Sequence, residues 1–278
     1  MEKPSYTSRR ALLNLIIGGT LGLTLPPLRR AEAEATAAPD GLSPPESATV
    51  TAVLDGDTLQ LAGGGALRLS GVEAPKRDLA PGDRAMAALE KDAATALEAL
   101  VGSGSLMLRH DIGRRDRYGR VLAQAFSADG TWLQAAMVDA GKARVHGDGR
   151  NRLGLTSLLA LEAAARGDRR GLWKHPAFAV RAAEDPKLAR LAGSFQIIEG
   201  KVFAAAVVNG TGFINFGADR HTDLTLVLKK PVLDRLDPAM LDLAWLTSKP
   251  IRCRGWLDLY DGPRIDISHP EQIEALET

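Results

Sequence analysis

Between residues 48 and 72 apolar and polar positions alternate with a period of two, in runs at 48–54, 57–62 and 66–72. That period puts successive side chains on opposite faces, so each run predicts a half-buried β-strand. Asp55-Gly56 separates the first pair of runs and Gly63-Gly64-Gly65 the second, and both are turn sequences. The period then changes. Over 83–101, Met86, Leu89, Ala93, Leu97 and Leu100 recur at helical spacing behind Asp83, a residue type that caps helices. Residues 105–110 and 121–127 read as strands, with a charged loop over 111–120 between them. A short helix is expected over 132–140, stopped by Gly141, and a Leu- and Ala-rich one over 153–165, ending near Gly167.

Residues 36–47 are rich in Pro, Ala and Ser without periodicity and predict a flexible tether. Residues 176–194, with Pro176, Pro186 and several charges, predict a second linker. Beyond it the pattern is again β, at 195–208, 213–216, 223–229, 250–259 and 263–268, with a helix expected over 233–246. The expected fold is α+β and mainly β. A five-stranded OB-type barrel with three helices over 48–175 precedes a second small, OB-like β domain over 195–278.

Residues 1–35 read as an export segment. Ser8-Arg9-Arg10 precedes an apolar run over 11–26 that is broken by Asn14, Gly18, Gly19 and Gly22. A membrane span needs roughly 20 apolar residues, so the run is short for one. Ala31, Ala33 and Ala35 follow with the A-x-A spacing of a cleavage site. The arginine pair resembles a twin-arginine signal, which implies a folded protein exported to the periplasm or beyond, with no stable span once the signal is removed. An uncleaved anchor is the alternative. The net charge of +1 gives the whole molecule no attraction for a polyanion, so such a partner must be held by local patches. Cys253 is the single cysteine, which precludes an internal disulfide. None of His110, His146, His175, His221 and His269 has zinc-ligand spacing, and they read as surface or core residues.

The chemistry concentrates in two segments. Asp55, Asp57 and Glu73 bring carboxylates, which bind hard cations, close to Arg68, whose planar fork suits phosphate. Asp116-Arg117-Tyr118-Gly119-Arg120 supplies a second arginine at the start of a strand. With Arg109, Arg114 and Arg115 it makes a basic stretch that Asp111 and Asp116 partly cancel. Phe213, Phe216 and Tyr260 are stacking candidates in the second domain, with core packing the alternative for the phenylalanines.

At Asp55-Gly56-Asp57-Thr58, Arg68-Leu69-Ser70-Gly71-Val72-Glu73-Ala74-Pro75 and Asp116-Arg117-Tyr118-Gly119-Arg120 the chain resembles the thermonuclease (staphylococcal nuclease-like) family, and Gly171-Leu172-Trp173 looks like that family's C-terminal helix end. The resemblance covers about residues 48–175 and implies a Ca²⁺-dependent phosphodiesterase acting on DNA or RNA. It implies Asp57 and Glu73 as metal carboxylates, the Ala74 carbonyl as a further ligand and Asp55 in an outer shell. Arg68 and Arg120 would clamp the scissile phosphate, with Glu73 counted among the catalytic groups and Arg117 and Tyr118 flanking the nucleotide. The chain departs from the family pattern twice. Glu73 stands where the family usually has Asp, one methylene shorter. Lys76 stands where the family has the glutamate that handles the attacking water. Lysine is cationic near neutral pH and takes no proton from water, and loss of a general base slows such reactions by ~10²–10⁴-fold. Asp78 and Asp83 are candidate substitutes. Two readings follow: a slow exported nuclease, and a non-catalytic nucleic-acid- or protein-binding module of the cell envelope.

Overall fold

The computed structural model describes residues 37–236 and 246–276. The export segment lies outside the described residues, as do residues 237–245 of the helix expected over 233–246; the described turn before them is helical from Lys230 to Leu233. Among the described residues no helix is long and apolar enough to cross a membrane.

The first unit contains β1 (Glu46–Asp55), β2 (Thr58–Leu61), β3 (Ala66–Leu69), β4 (Val72–Glu73), β5 (Ser105–Arg109), β6 (Val121–Ser127) and β7 (Arg144–Val145). Its helices are α1 (Arg84–Val101), α2 (Leu133–Asp139) and α3 (Leu155–Gly167). Strands β1, β2, β3, β6 and β5 close a barrel in that order, as the five expected strands require. Leu59, Leu67, Leu69, Leu106 and Ala123 fill it, and Ala93 and Leu97 of α1 pack against them. Asp83 caps α1 by accepting from the backbone N–H groups of Ala85 and Met86.

The run at 66–72 is not one strand. Gly71 adopts φ 82°, a conformation open to glycine at little cost, and the chain turns out of the barrel there. The two residues of β4 then pair with β7, setting Glu73 opposite Arg144. The anticipated tether is also docked: Leu42 is buried in the barrel core and the Ser43 N–H donates to the His110 carbonyl at 2.8 Å. Residues 171–174 form a separate 3₁₀ turn rather than the end of α3, with Arg169 (φ 54°) and Gly171 (φ 47°) breaking the helix first.

The second unit holds β8 (Arg181–Ala182), β9 (Ser194–Lys201), β10 (Ala204–Val208), β11 (Thr211–Asn215), β12 (Thr225–Leu228), β13 (Pro250–Leu259), β14 (Pro263–Ile267) and β15 (Ile273–Ala275). They form one curled sheet, ordered β10-β11-β12-β14-β13-β9-β8 with β15 on β13. Residues 176–194, expected as a linker, contribute β8 and the buried side chains of Phe178 and Leu188. Met86, Ala165, Leu172, Trp173, Phe178, Phe195 and Ile197 make a shared apolar seam between the units. Beside it, Arg254 of β13 is buried and donates to Glu162 of α3 and to Glu274, both at 2.6 Å.

Candidate functional site

The β1–β2 turn brings the first acidic pair together. The Asp57 N–H donates to Asp55 Oδ1 at 2.9 Å, a local bond that Asp residues favour in turns. Gly56 allows the turn to approach the helix: a Cβ there would lie 2.6 Å from the Ala93 Cβ and 2.7 Å from the Ala74 Cβ. Asp57 has no exposed surface. Its Oδ1 accepts from the Thr58 hydroxyl at 3.0 Å and from Lys76 Nζ at 3.1 Å. Its Oδ2 accepts from the Ala74 N–H at 2.7 Å and pairs with Arg68 Nη2 at 3.3 Å. Burial pushes the Asp57 carboxyl up, but Arg68, Lys76 and the hydrogen bonds outweigh it, and the group ends below its ordinary value.

Lys76 spans both acids, its Nζ also lying 2.7 Å from Asp55 Oδ2. Glu73 faces elsewhere. Arg144 holds its Oε2 from Nε at 3.0 Å and from Nη2 at 2.5 Å. Burial raises the Glu73 carboxyl, and Arg144 first, then His146 and Arg68, bring it below the ordinary range.

On the other side of Arg68 lies a cleft of about 500 Å³, lined by Arg68, Ser70, Arg115, Arg117, Tyr118, Arg120, His146 and Arg150 among others. Strand alternation aims Arg68 there, because its neighbours Leu67 and Leu69 point into the barrel. Asp116 organises the opposite wall. It accepts from the N–H groups of Tyr118 and Arg120, both at 2.9 Å, and from Arg120 Nε at 2.6 Å. The guanidinium groups of Arg117 and Arg120 lie 4.8 and 5.5 Å from the centre of the exposed Tyr118 ring. Arg109 and Arg114 leave this wall, the first bonding the Ser43 carbonyl and the second Glu46.

Residues 66–175 match the family described as Staphylococcal nuclease homologue. Over this segment the chain is similar to the staphylococcal nuclease-like family. The match opens at β3, so β1 and β2, which complete the barrel and carry Asp55, lie before it. The succinoglycan biosynthesis protein ExoI of Rhizobium meliloti (strain 1021) is 33% identical over 124 residues, or 44% of this chain. The aligned stretch spans 62% of that relative's length.

The nuclease-like domain thus brings the predicted residues together in two adjoining sets. Arg68, Arg117, Tyr118 and Arg120 line the cleft. Asp55, Asp57, Lys76 and Ala74 form a bonded cluster joined to it through Arg68. Glu73 joins neither set by a direct bond and is held by Arg144. Neither candidate substitute carboxylate belongs to these sets: Asp83 caps α1 and pairs with His175, and Asp78 is exposed on a 3₁₀ turn.

Two residues of the site escape a sequence reading. His146, expected as surface or core, lines the cleft of the nuclease-like domain, its ring 4.8 Å from that of Phe195. Burial pushes its imidazole down, Glu73 pulls it up, and Arg144 and Arg68 push it down again; the net shift is downward, favouring the neutral ring near neutral pH. Arg144 bridges Glu73 to the Phe195 carbonyl, 3.3 Å from Nη1. The alternation Ala143-Arg144-Val145-His146 signals a strand, but nothing local reveals its partner.

The acids do not suit a calcium ion as they are arranged. Calcium takes about 6–8 oxygen ligands at 2.3–2.6 Å. A carboxylate offers about four lone-pair sites, and Asp57 already meets the hydroxyl, ammonium, amide and guanidinium donors described above. Among the described residues no group of three or more His, Cys, Asp or Glu side chains converges as a metal site.

Proposed function

We propose that this is an exported nuclease-like protein whose barrel binds single-stranded DNA or RNA by its phosphodiester backbone and hydrolyses it slowly. The cleft carries this reading: Arg68 and Arg120 line one concave surface beside an exposed tyrosine, within a domain similar to a nuclease family. Paired guanidinium groups hold phosphate oxygens and stabilise charge that develops on phosphorus. Tyr118 offers a face on which a base can stack, which single strands allow. The slow rate follows from Lys76, an ammonium where the resemblance places a carboxylate base. His146 is the neutral proton acceptor lining the same cleft, and it takes that role weakly. Calcium is the cofactor the family resemblance implies; the bonded acids do not accommodate it, so no step runs through it here. Export to the periplasm or beyond is part of the proposal and rests on residues 8–35.

Binding of a fluorescently labelled oligo(dT) to the purified chain tests this by anisotropy, with product formation followed in parallel. Affinity should fall steeply with salt, and Arg68→Ala or Arg120→Ala should weaken it about tenfold or more, the scale of a lost charged hydrogen bond. Lys76→Glu should raise cleavage. No binding at low salt, or binding indifferent to both arginines, rules the proposal out.

A further inference from the structure

We infer that the Lys76 ammonium stands as a tethered cation in place of the divalent metal, so that this domain handles phosphate without calcium. The argument is one of charge and donors. Asp55 and Asp57 are matched by Lys76 and Arg68 at 2.7–3.3 Å, and Glu73 by Arg144 at 2.5 Å. Every acid of the cluster is thereby neutralised by a side chain of the same domain. A dication entering between Asp55 and Asp57 would meet Lys76 Nζ, which lies 2.7 and 3.1 Å from their oxygens, and like-charge repulsion at such range is large when partly buried. The ammonium cannot easily swing away, because leaving would strip the buried Asp57 of a charged partner.

The arrangement also explains why Arg68 can face an anion. Balanced by Lys76, Asp57 orients the guanidinium from behind, through Nη2, while Nη1 is fixed on the Leu69 carbonyl at 2.9 Å. A backbone-tethered cation in this position holds the Asp55 and Asp57 carboxylates together. The part of the inference that concerns phosphate rests on the function proposed above; the part that concerns calcium does not.

Isothermal titration of calcium chloride into the full chain, paired with oligo(dT) anisotropy in calcium and in chelator, tests it. Wild type should give no saturable calcium heat and equal oligonucleotide affinity in both buffers. Lys76→Gln and Lys76→Ala should bind calcium at least about tenfold more tightly than wild type, since removing one positive charge leaves unpaired oxygen ligands. Lys76→Arg, which keeps the cation, should remain blind to calcium and serves if the neutral variants fail to fold. Saturable calcium binding by wild type within about threefold of Lys76→Gln, or none by either folded neutral variant, overturns the inference. Loss of oligonucleotide binding in every buffer would defeat the nucleic-acid reading alone, because the calcium titration still decides the role of Lys76.

Discussion

Asp57 is the residue on which both sets of side chains depend. It has no exposed surface, yet four donors converge on it, and its carboxyl lies below the ordinary value despite a burial that pushes the other way. A group whose proton affinity is lower in the folded than in the unfolded chain stabilises the fold above its unfolded value and loses that contribution as pH falls through the folded one. Asp57→Asn should therefore destabilise the protein by about 3 kcal/mol at neutral pH, the scale of breaking a buried ion pair. The difference from wild type should shrink below about pH 4, where the unfolded carboxyl takes up its proton. Urea titrations of both proteins across that range measure it, and a constant difference would mean that the loss comes from packing or hydrogen-bond geometry rather than from charge. The identity of this residue is visible in the sequence as one half of an Asp-Gly-Asp turn. Its burial is not, because a turn aspartate in isolation is a solvated group.

At the scale of elements, the site is a turn pressed against a helix and a strand that leaves its barrel. Gly56 sits where any Cβ would strike Ala93 of α1 and Ala74 after β4, neither of which can yield without moving backbone. Gly56→Ala should destabilise by about 1–3 kcal/mol through overpacking, and it should weaken oligonucleotide binding as well, since the same turn sets Asp57 against Arg68. A thermal-shift measurement beside the anisotropy assay separates the two effects. Periodicity foresees β1, β2, β3 and α1 because each carries a one-faced apolar pattern. It runs β3 and β4 together, because the positive φ of Gly71 divides them without interrupting the pattern.

Across the whole molecule, the second unit buttresses the first. Phe195 at the start of β9 meets the His146 ring and accepts at its carbonyl from Arg144, so His146, which lines the cleft, packs against a residue beyond the nuclease-like match. Charged pairs add to the apolar seam: the buried Arg254 lies between Glu162 and Glu274, and the half-buried Arg152 donates from Nε and Nη2 to Glu271. Arg254→Ala would leave Glu162, which has no exposed surface, without its 2.6 Å partner. We expect a loss of about 3 kcal/mol, the scale of breaking a buried ion pair, because Glu162 then keeps only Arg166 at 3.4 Å and the Val145 N–H at 2.7 Å. Replacing Arg254 and Glu162 together by Met and Leu should recover most of it, because the desolvation of both charges disappears with them. Calorimetry of the single and double variants provides the check.

What the sequence determined by itself is the barrel, its helices, and the identity of most of the charged side chains that meet at the candidate site, though not His146 or Arg144. Those depend on alternation, caps and short motifs, all of which act between neighbours along the chain. Only the tertiary structure decided what those residues face. Glu73 meets Arg144 from 71 positions away, Lys76 closes on Asp55 and Asp57, and Phe195 reaches His146 across the seam between units. Whether a carboxylate is free to hold a metal or is spent on an ammonium is set by which cation the fold brings within about 3 Å, where Coulombic attraction is strongest, and no pattern of neighbouring residues encodes that distance.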